Sequence, residues 1–278
     1  MTLVSAIQMT STPNLTSNLT AASHLIATAA NKGAQLVVLP EMFPMMGAEE
    51  MTKLALQEEF GNGVIQDFLA SRAKQHKIWL VGGTIPIKTH NPNKVSAACI
   101  VYNDQGHIAA RYDKIHLFDV TITSGVETYC ESQTFDPGHE IVVIDTPFGK
   151  LGLAVCYDLR FPELFRCLVN KGAQIVAVPC AFTVKTGQDH WEALTRCRAI
   201  ESLNYFIFAC QTGQHSPQKH ATYGHSRIVD PWGKVLSQID EESGVITANV
   251  DLQLQKNIRE KFPALTHQRI AVQCDSIN

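Results

Sequence analysis

The sequence predicts an α/β protein of four layers, α-β-β-α, in which two mixed sheets pack face to face with helices outside both. Two observations carry that expectation. Strands and helices alternate through the first third, and further strands joined by turns fill the middle and the end. An internal echo adds weight: NKGAQLVVLPE (31–41) returns as NKGAQIVAVPC (170–180), the same helix end, glycine, strand and proline. The repeat points to two related α/β halves. No stretch rich in Pro, Gly or Ser divides them, so residues 1–278 read as one domain with a C-terminal tail from about 262.

Taken in order, residues 3–8 form an apolar strand that Thr12 and Pro13 break. Leu19, Ala22, Leu25, Ile26 and Ala29 recur at helical spacing until Gly33 stops the helix. Gln35–Leu39 is a buried strand ending at Pro40 and Glu41. Residues 48–60 and 64–76 read as helices separated by Gly61 and Gly63, and Ile78–Gly82 is the next strand. Strands at 96–102 and 107–112 flank the turn Asn103-Asp104-Gln105-Gly106. Residues 113–140 read as a long irregular connection, which in a compact domain is usually functional. Strands at 141–145, 150–155 and 174–178 follow, with helices at 162–171 and 189–203. The last strands are 205–210, 226–230, 234–239 and 244–250, with a turn at Asp230-Pro231-Trp232-Gly233-Lys234.

Composition narrows the function. Hydrophobic residues make up 45% of the 278 and charged residues 18%, as in a globular protein. A net charge of −3 without a run of Lys and Arg argues against nucleic-acid binding. No apolar run approaches the roughly 20 residues that span a bilayer. The N-terminal MTLVSAIQM reads as a strand, not a leader. Eight scattered cysteines without a C-x-x-C predict reduced thiols in a cytoplasmic setting, and the sequons at Asn14 and Asn18 are then incidental. His215, His220 and His225 recur every five residues, but no cysteine or acid completes a metal set, so they read as surface and loop histidines. Nucleotide-binding glycine patterns are missing, and neither metal nor cofactor is expected.

The most informative segment is LGLAVCYDLRFPEL (151–164). An apolar run ends in Cys156, and a turn with free backbone N–H groups follows. A thiol there can attack a carbonyl while the amides hold the oxyanion. It can equally be a small core residue, since free cysteines are often buried. The segment alone leaves both readings open. Glu41 and Lys114 follow apolar runs in the same manner, and strand ends in α/β sheets converge. A carboxylate can take the thiol's proton and an ammonium can stabilise thiolate and oxyanion alike. Each residue alone fits a surface role; the shared placement favours chemistry. Cys180 follows Pro179 as Glu41 follows Pro40 and is read as a packed small residue, while Cys99, Cys167, Cys197 and Cys210 are read as core or helix-face residues.

LPEMF around Glu41, YDKIHLFD around Lys114 and CYDLRFPEL around Cys156 resemble the nitrilase, or carbon–nitrogen hydrolase, superfamily over nearly the whole chain. The resemblance implies the same α-β-β-α sandwich and a Glu41-Lys114-Cys156 triad. It also implies a second glutamate, Glu131, that positions Lys114. HLFDV, CESQTFDPG, TGQDHWEALTRCRAIE, QTGQHS and YGHSRIVDPWGKV resemble the branch of omega-amidases and deaminated-glutathione amidases. RFPEL, CES and QTGQH are closer to the latter. The tail IAVQCDSIN departs from the family pattern, which bears on a subunit interface.

The implied activity is hydrolysis of a small carboxylate-bearing 2-oxo acid amide through a thioester, in a homodimer or larger homo-oligomer. Tyr157 offers the oxyanion amide. Arg160 either forks onto a substrate carboxylate or pairs with Glu163 or another acid. Phe118, Phe182 and Thr186 are pocket residues by family position, and at least one of Arg196 and Arg198 is structural. A silent binding or assembly partner is the competing class; its usual mark is a lost triad residue, and all three are present.

Overall fold

The computed structural model describes residues 1–47, 54–122, 127–217 and 221–274. The first half runs β1 (Thr2–Gln8), α1 (Leu15–Asn31), β2 (Leu36–Val38), α2 (Val64–His76), β3 (Trp79–Val81), β4 (Ile85–Lys88), β5 (Val95–Tyr102) and β6 (Ile108–Asp113). Next come β7 (Asp119–Ile122), β8 (Glu127–Cys130), β9 (Phe135–Asp136), β10 (Val143–Thr146), β11 (Gly149–Leu153), α3 (Pro162–Asn170) and β12 (Ile175–Cys180). The chain ends with α4 (Val184–Ser202), β13 (Tyr205–Cys210), β14 (Thr212–Gly213), β15 (Thr222–Tyr223), β16 (Arg227–Val229), β17 (Val235–Gln238), β18 (Gly244–Val250) and α5 (Leu252–Lys261).

The strands build the two expected sheets. One runs β18-β1-β2-β3-β5-β4, with β6 and β9 also on β5, and the other runs β10-β11-β12-β13-β16-β17. Each has three parallel strands at its centre, β1-β2-β3 and β11-β12-β13, and an antiparallel strand on either side. The NKGAQ echo is the joint that enters each central strand. Gly33 and Gly172 sit at φ +90° and +89°, in the left-handed region glycine tolerates, and each N–H returns 2.8 Å to the helix, to Ala30 and Val169. Gln35 and Gln174 then donate to the preceding strand and accept from the next. Glu41 and Cys180 therefore hold matching positions in the two halves.

Side-chain alternation fills both faces of the first sheet. Leu36 and Val38 join Leu153, Val178 and Phe208 in the core that spans both sheets, while Val37 and Leu39 pack with Ala22 and Ile26 of α1 and Leu69 and Ala73 of α2. Helices α3 and α4 cover the second sheet with Leu164, Phe165, Leu168 and Trp191.

Several expectations are corrected. Residues 113–140 hold the hairpin β7–β8 and the short β9, not an irregular connection throughout. The expected helix at 48–60 lies partly outside the described residues, and its described end has only Leu54 and Ala55 helical before Glu58 bridges Ile87. Helix α4 begins at Val184, five residues before the expected 189, because the Thr183 side chain caps it by accepting from the Thr186 N–H. Helix α5 was not expected from the pattern. The thiols are not all free: Cys167 on α3 is bonded to Cys274 in the tail. Cys197 is exposed on α4, whereas Cys99, Cys180 and Cys210 are buried. Among the described residues no helix is long and apolar enough to cross a membrane.

Candidate active site

Three strand ends deliver the three expected groups to one buried cluster. Glu41 follows β2 at a turn pinned on every side. Gln211 donates to the Glu41 carbonyl (3.0 Å), Thr84 accepts from the Met42 N–H (2.8 Å), and Ser11 donates to the Phe43 carbonyl (2.9 Å). Met42 sits at φ +53°, a left-handed conformation that such surroundings must hold for a non-glycine residue. Lys114 directly follows β6 and is 2% exposed. Its Nζ lies 2.8 Å from Glu41 Oε1 and 2.9 and 2.7 Å from the two oxygens of Glu131. The hairpin β7–β8 brings Glu131 there, and the Phe118 N–H donates to Glu131 Oε2 at 2.7 Å.

Cys156 opens a 3-10 turn at the end of β11, again left-handed at φ +45°. That sharp strand-to-turn corner is the geometry of a nucleophile elbow. The sulfur accepts from the Ala181 N–H at 3.4 Å, a contact the sequence did not suggest. Burial pushes the Cys156 thiol above its ordinary range, and Glu41 adds to this; Cys180, Lys114 and the Ala181 amide oppose it. Burial likewise raises Glu41, with Lys114 pulling down and Glu131 pushing up. For Lys114 burial works downward, but Glu131 and Glu41 outweigh it and hold the ammonium well above its usual range. The arrangement places a thiol and a carboxyl side by side, with a fixed cation between Glu41 and Glu131.

A cavity of about 570 Å³ opens above this cluster, and Tyr157, Arg160, Phe118, Phe182 and Thr186 all line it. Phe118 meets Tyr157 edge-on at 5.0 Å, and Phe182 meets Trp191 edge-on at 4.9 Å. The Arg160 guanidinium lies 5.8 Å from the Tyr157 ring and 5.6 Å from the Phe182 ring, with His190 Nδ1 3.3 Å from both terminal nitrogens. No ion pair between Arg160 and a carboxylate occurs among the described residues, so the pairing with Glu163 is not formed. Arg196 and Arg198 are structural: Arg196 donates to the Gly233 carbonyl, and buried Arg198 donates to the Leu159 carbonyl and pairs with Glu201.

Sequence reasoning missed His215 as a site residue. It is buried and lines the cavity, its Nδ1 facing the Ser11 carbonyl and its Nε2 facing Thr222 Oγ1, each at 2.8 Å. A carbonyl only accepts, so Nδ1 carries the hydrogen and Nε2 accepts from Thr222. Burial lowers its pKa against the opposing Ser11 contact. His225 is half-buried, and His220 lies outside the described residues. The QTGQHS segment was the available signal: its Gln211 also ties the Glu41 carbonyl to Ser11.

A four-layer frame with a buried thiol, carboxylate and ammonium under one cavity defines a class: hydrolases of carbon–nitrogen bonds. The chain belongs to the carbon-nitrogen hydrolase family, whose model matches residues 3–260. It is 40% identical over 269 residues to a deaminated glutathione amidase from Synechocystis sp., covering 96% of this chain and 97% of that one. It is 36% identical to an omega-amidase from Xenopus laevis, covering 96% and 94%. Among solved structures, Saccharomyces cerevisiae Nit3, a member of the nitrilase superfamily, superposes with a TM-score of 0.86 at 31% identity, covering 97% of each chain. The Caenorhabditis elegans NitFhit protein does so at 0.89 and 37%, covering 96% of this chain and 65% of that one. The protein is an amide hydrolase of this family.

Proposed function

We propose that Cys156 is the nucleophile, Glu41 the general base and Lys114 the oxyanion donor, with Glu131 positioning Lys114. Glu41 takes the Cys156 proton as the sulfur attacks the amide carbonyl. The Lys114 ammonium and the Tyr157 N–H hold the oxyanion. Glu41 hands the proton to the departing amine, leaving a thioester on Cys156. Water then gives a proton to Glu41 and attacks the thioester, releasing a carboxylic acid and the thiol.

The acyl group is that of a carboxylate-bearing 2-oxo acid amide, with deaminated glutathione as the first substrate. One observation carries this choice: Arg160 presents a cation to the cavity with ring faces and an imidazole around it. A cation so placed suits a carboxylate held by parallel hydrogen bonds. Phe118, Phe182 and Thr186 form walls around the acyl chain. The cavity of about 570 Å³ accommodates an amine portion larger than ammonia, which favours deaminated glutathione over 2-oxoglutaramate. The assay compares deaminated glutathione, 2-oxoglutaramate, an N-carbamoyl amino acid and a nitrile. The highest kcat/KM belongs to deaminated glutathione; a preference for the nitrile or the carbamoyl compound rejects this substrate reading. Full turnover in Cys156→Ala rejects the mechanism.

Residues 1–278 act as one domain in this reading, and limited proteolysis that releases a stable half would refute it. Exposed free thiols at Cys130 and Cys197 fit a reducing compartment while the Cys167–Cys274 bond points the other way, and cell fractionation tests the cytoplasmic assignment. Trp232 and Phe262, stacked edge-on and each more than half exposed, give the apolar surface on which a second copy would pack. Sedimentation of the purified chain checks for the homo-oligomer.

A further inference from the structure

Asp158 lies two residues past Cys156 and is fully buried, yet neither the cavity nor the proposed chemistry uses it. Its carboxylate meets four groups. Oδ2 accepts from the Tyr112 hydroxyl at 2.6 Å and from the Val155 N–H at 2.7 Å. Oδ1 accepts from the His116 N–H at 3.1 Å and faces His116 Nδ1 at 2.7 Å. Those partners are placed with a pattern. Tyr112 and His116 stand two residues before and two residues after Lys114, and Val155 immediately precedes Cys156. One carboxylate thus joins the segment that carries the ammonium to the turn that carries the thiol. The His116 ring is itself fixed, stacked on Phe161 at 3.7 Å and 5°, and the Phe161 N–H returns to the Asp158 carbonyl.

We propose that Asp158 is a positioning residue for the acyl transfer, setting the register between Lys114 Nζ and Cys156 Sγ. It acts through Tyr112 and His116 on one side and through the Val155 N–H on the other. The inference rests on the reading that Cys156 and Lys114 perform the reaction. Lys114 and Cys156 come from different sheets, so their separation depends on whatever spans the gap. A left-handed Cys156 needs such a restraint, because a strained corner persists only where its surroundings over-determine it. The four groups at the carboxylate include two obligatory donors, the Val155 N–H on one oxygen and the His116 backbone N–H on the other, so an amide cannot replace it. In Asp158→Asn the NH2 group must confront either the Val155 N–H or the His116 N–H, whichever way it turns.

The test uses the full chain as Asp158→Asn, with two readouts that a merely structural role leaves unchanged. In amide hydrolysis, kcat per labelled active site falls about a hundredfold while KM holds, the cost expected of a displacement near 1 Å. In iodoacetamide labelling of Cys156, the pH midpoint rises, because the ammonium no longer favours the thiolate from its set position. Unchanged kcat per site and an unchanged labelling midpoint overturn the inference, even if thermal stability drops. Where Asp158→Asn does not fold, Tyr112→Phe decides: it removes one donor, and a matching smaller fall in kcat with a raised midpoint supports the inference, whereas wild-type values overturn it. The proposed chemistry is judged separately on the wild-type chain, where absent labelling of Cys156 or active Cys156→Ala refutes it regardless of Asp158.

Discussion

Glu131 grips Lys114 with both carboxylate oxygens, at 2.9 and 2.7 Å, while Glu41 holds the same ammonium with one, at 2.8 Å. Two carboxylates therefore share one cation in a site nearly closed to water. With both carboxyls ionised the cluster carries one surplus negative charge, and that surplus decides how each member responds to substitution.

Lys114→Met leaves buried Glu41 and partly buried Glu131 without their cation. Breaking a buried pair in this way costs about 3–5 kcal/mol, and here two partners are stranded. Chemical denaturation at neutral pH should show that loss, and lowering the pH should recover part of it as the carboxylates take protons. A variant as stable as the parent at neutral pH contradicts the charge assignment.

Glu41→Gln behaves in the opposite sense. Burial raises the Glu41 pKa, so folding binds its proton more tightly than the unfolded chain does. The stability from that proton is present below the unfolded value and is lost as pH rises through the higher folded value. Above that folded value the ionised Glu41 thus opposes folding. Glutamine removes the surplus charge and leaves Lys114 balanced by Glu131. Turnover disappears with the base, and Tm equals or exceeds that of the parent; a clear drop in Tm rules this account out.

The same shift sets the acid limb of the pH profile. With Glu41 as the proposed base, its proton uptake should stop catalysis, so kcat/KM should fall through a midpoint above the ordinary glutamate value of 4.5. Glu131 contributes to that rise by repulsion, after burial itself. Glu131→Gln should therefore move the acid limb to lower pH, besides lowering kcat through a looser Lys114. An acid limb that stays in place would mean that another group controls it.

The site was legible because its three chemical groups all stand at the ends of apolar runs, where chain direction and burial place them without knowledge of contacts. Glu131 was not: it hangs on β7–β8, whose residues alternate between exposed and half-buried and show no core face. It came only from the resemblance of CES to a family motif. Helix α5 was hidden for a related reason. Gln255 is its one buried residue, so no apolar stripe marks it. Hydrogen bonds hold it instead: Gln255 donates to the carbonyls of Gln174 and Leu203, and Arg259 to those of Leu203 and Ala173. The echo at 31–41 and 170–180 was visible as letters, and the structure supplies its cause, a shared glycine cap that turns each helix into a central strand.

Arg160→Gln separates substrate binding from framework. The guanidinium stacks on rings and faces His190 without a carboxylate partner among the described residues, so its removal strands no buried charge. A charge-assisted bond to a substrate carboxylate is worth about 2 kcal/mol, which raises KM roughly thirtyfold for anionic amides. Neutral amides of similar size should keep their KM. An equal rise for both classes would assign Arg160 to the framework.

The tail gives a final expectation that is independent of the chemistry. Cys274 is bonded to Cys167 across 107 residues, anchoring the tail to α3, the helix that follows the nucleophile turn. Closing so long a loop restricts the unfolded chain, and the usual contribution is about 2–4 kcal/mol. Cys167 is also buried, so the bond adds an anchor to a helix already packed through Leu164, Phe165 and Leu168. Cys274→Ser should therefore lower the Tm of the oxidised protein without unfolding α3. Reductant should bring the parent down to the same Tm and leave the variant unmoved. A parent whose Tm ignores reductant, with a free-thiol titration that counts all eight cysteines, would show that the tail is held by packing alone.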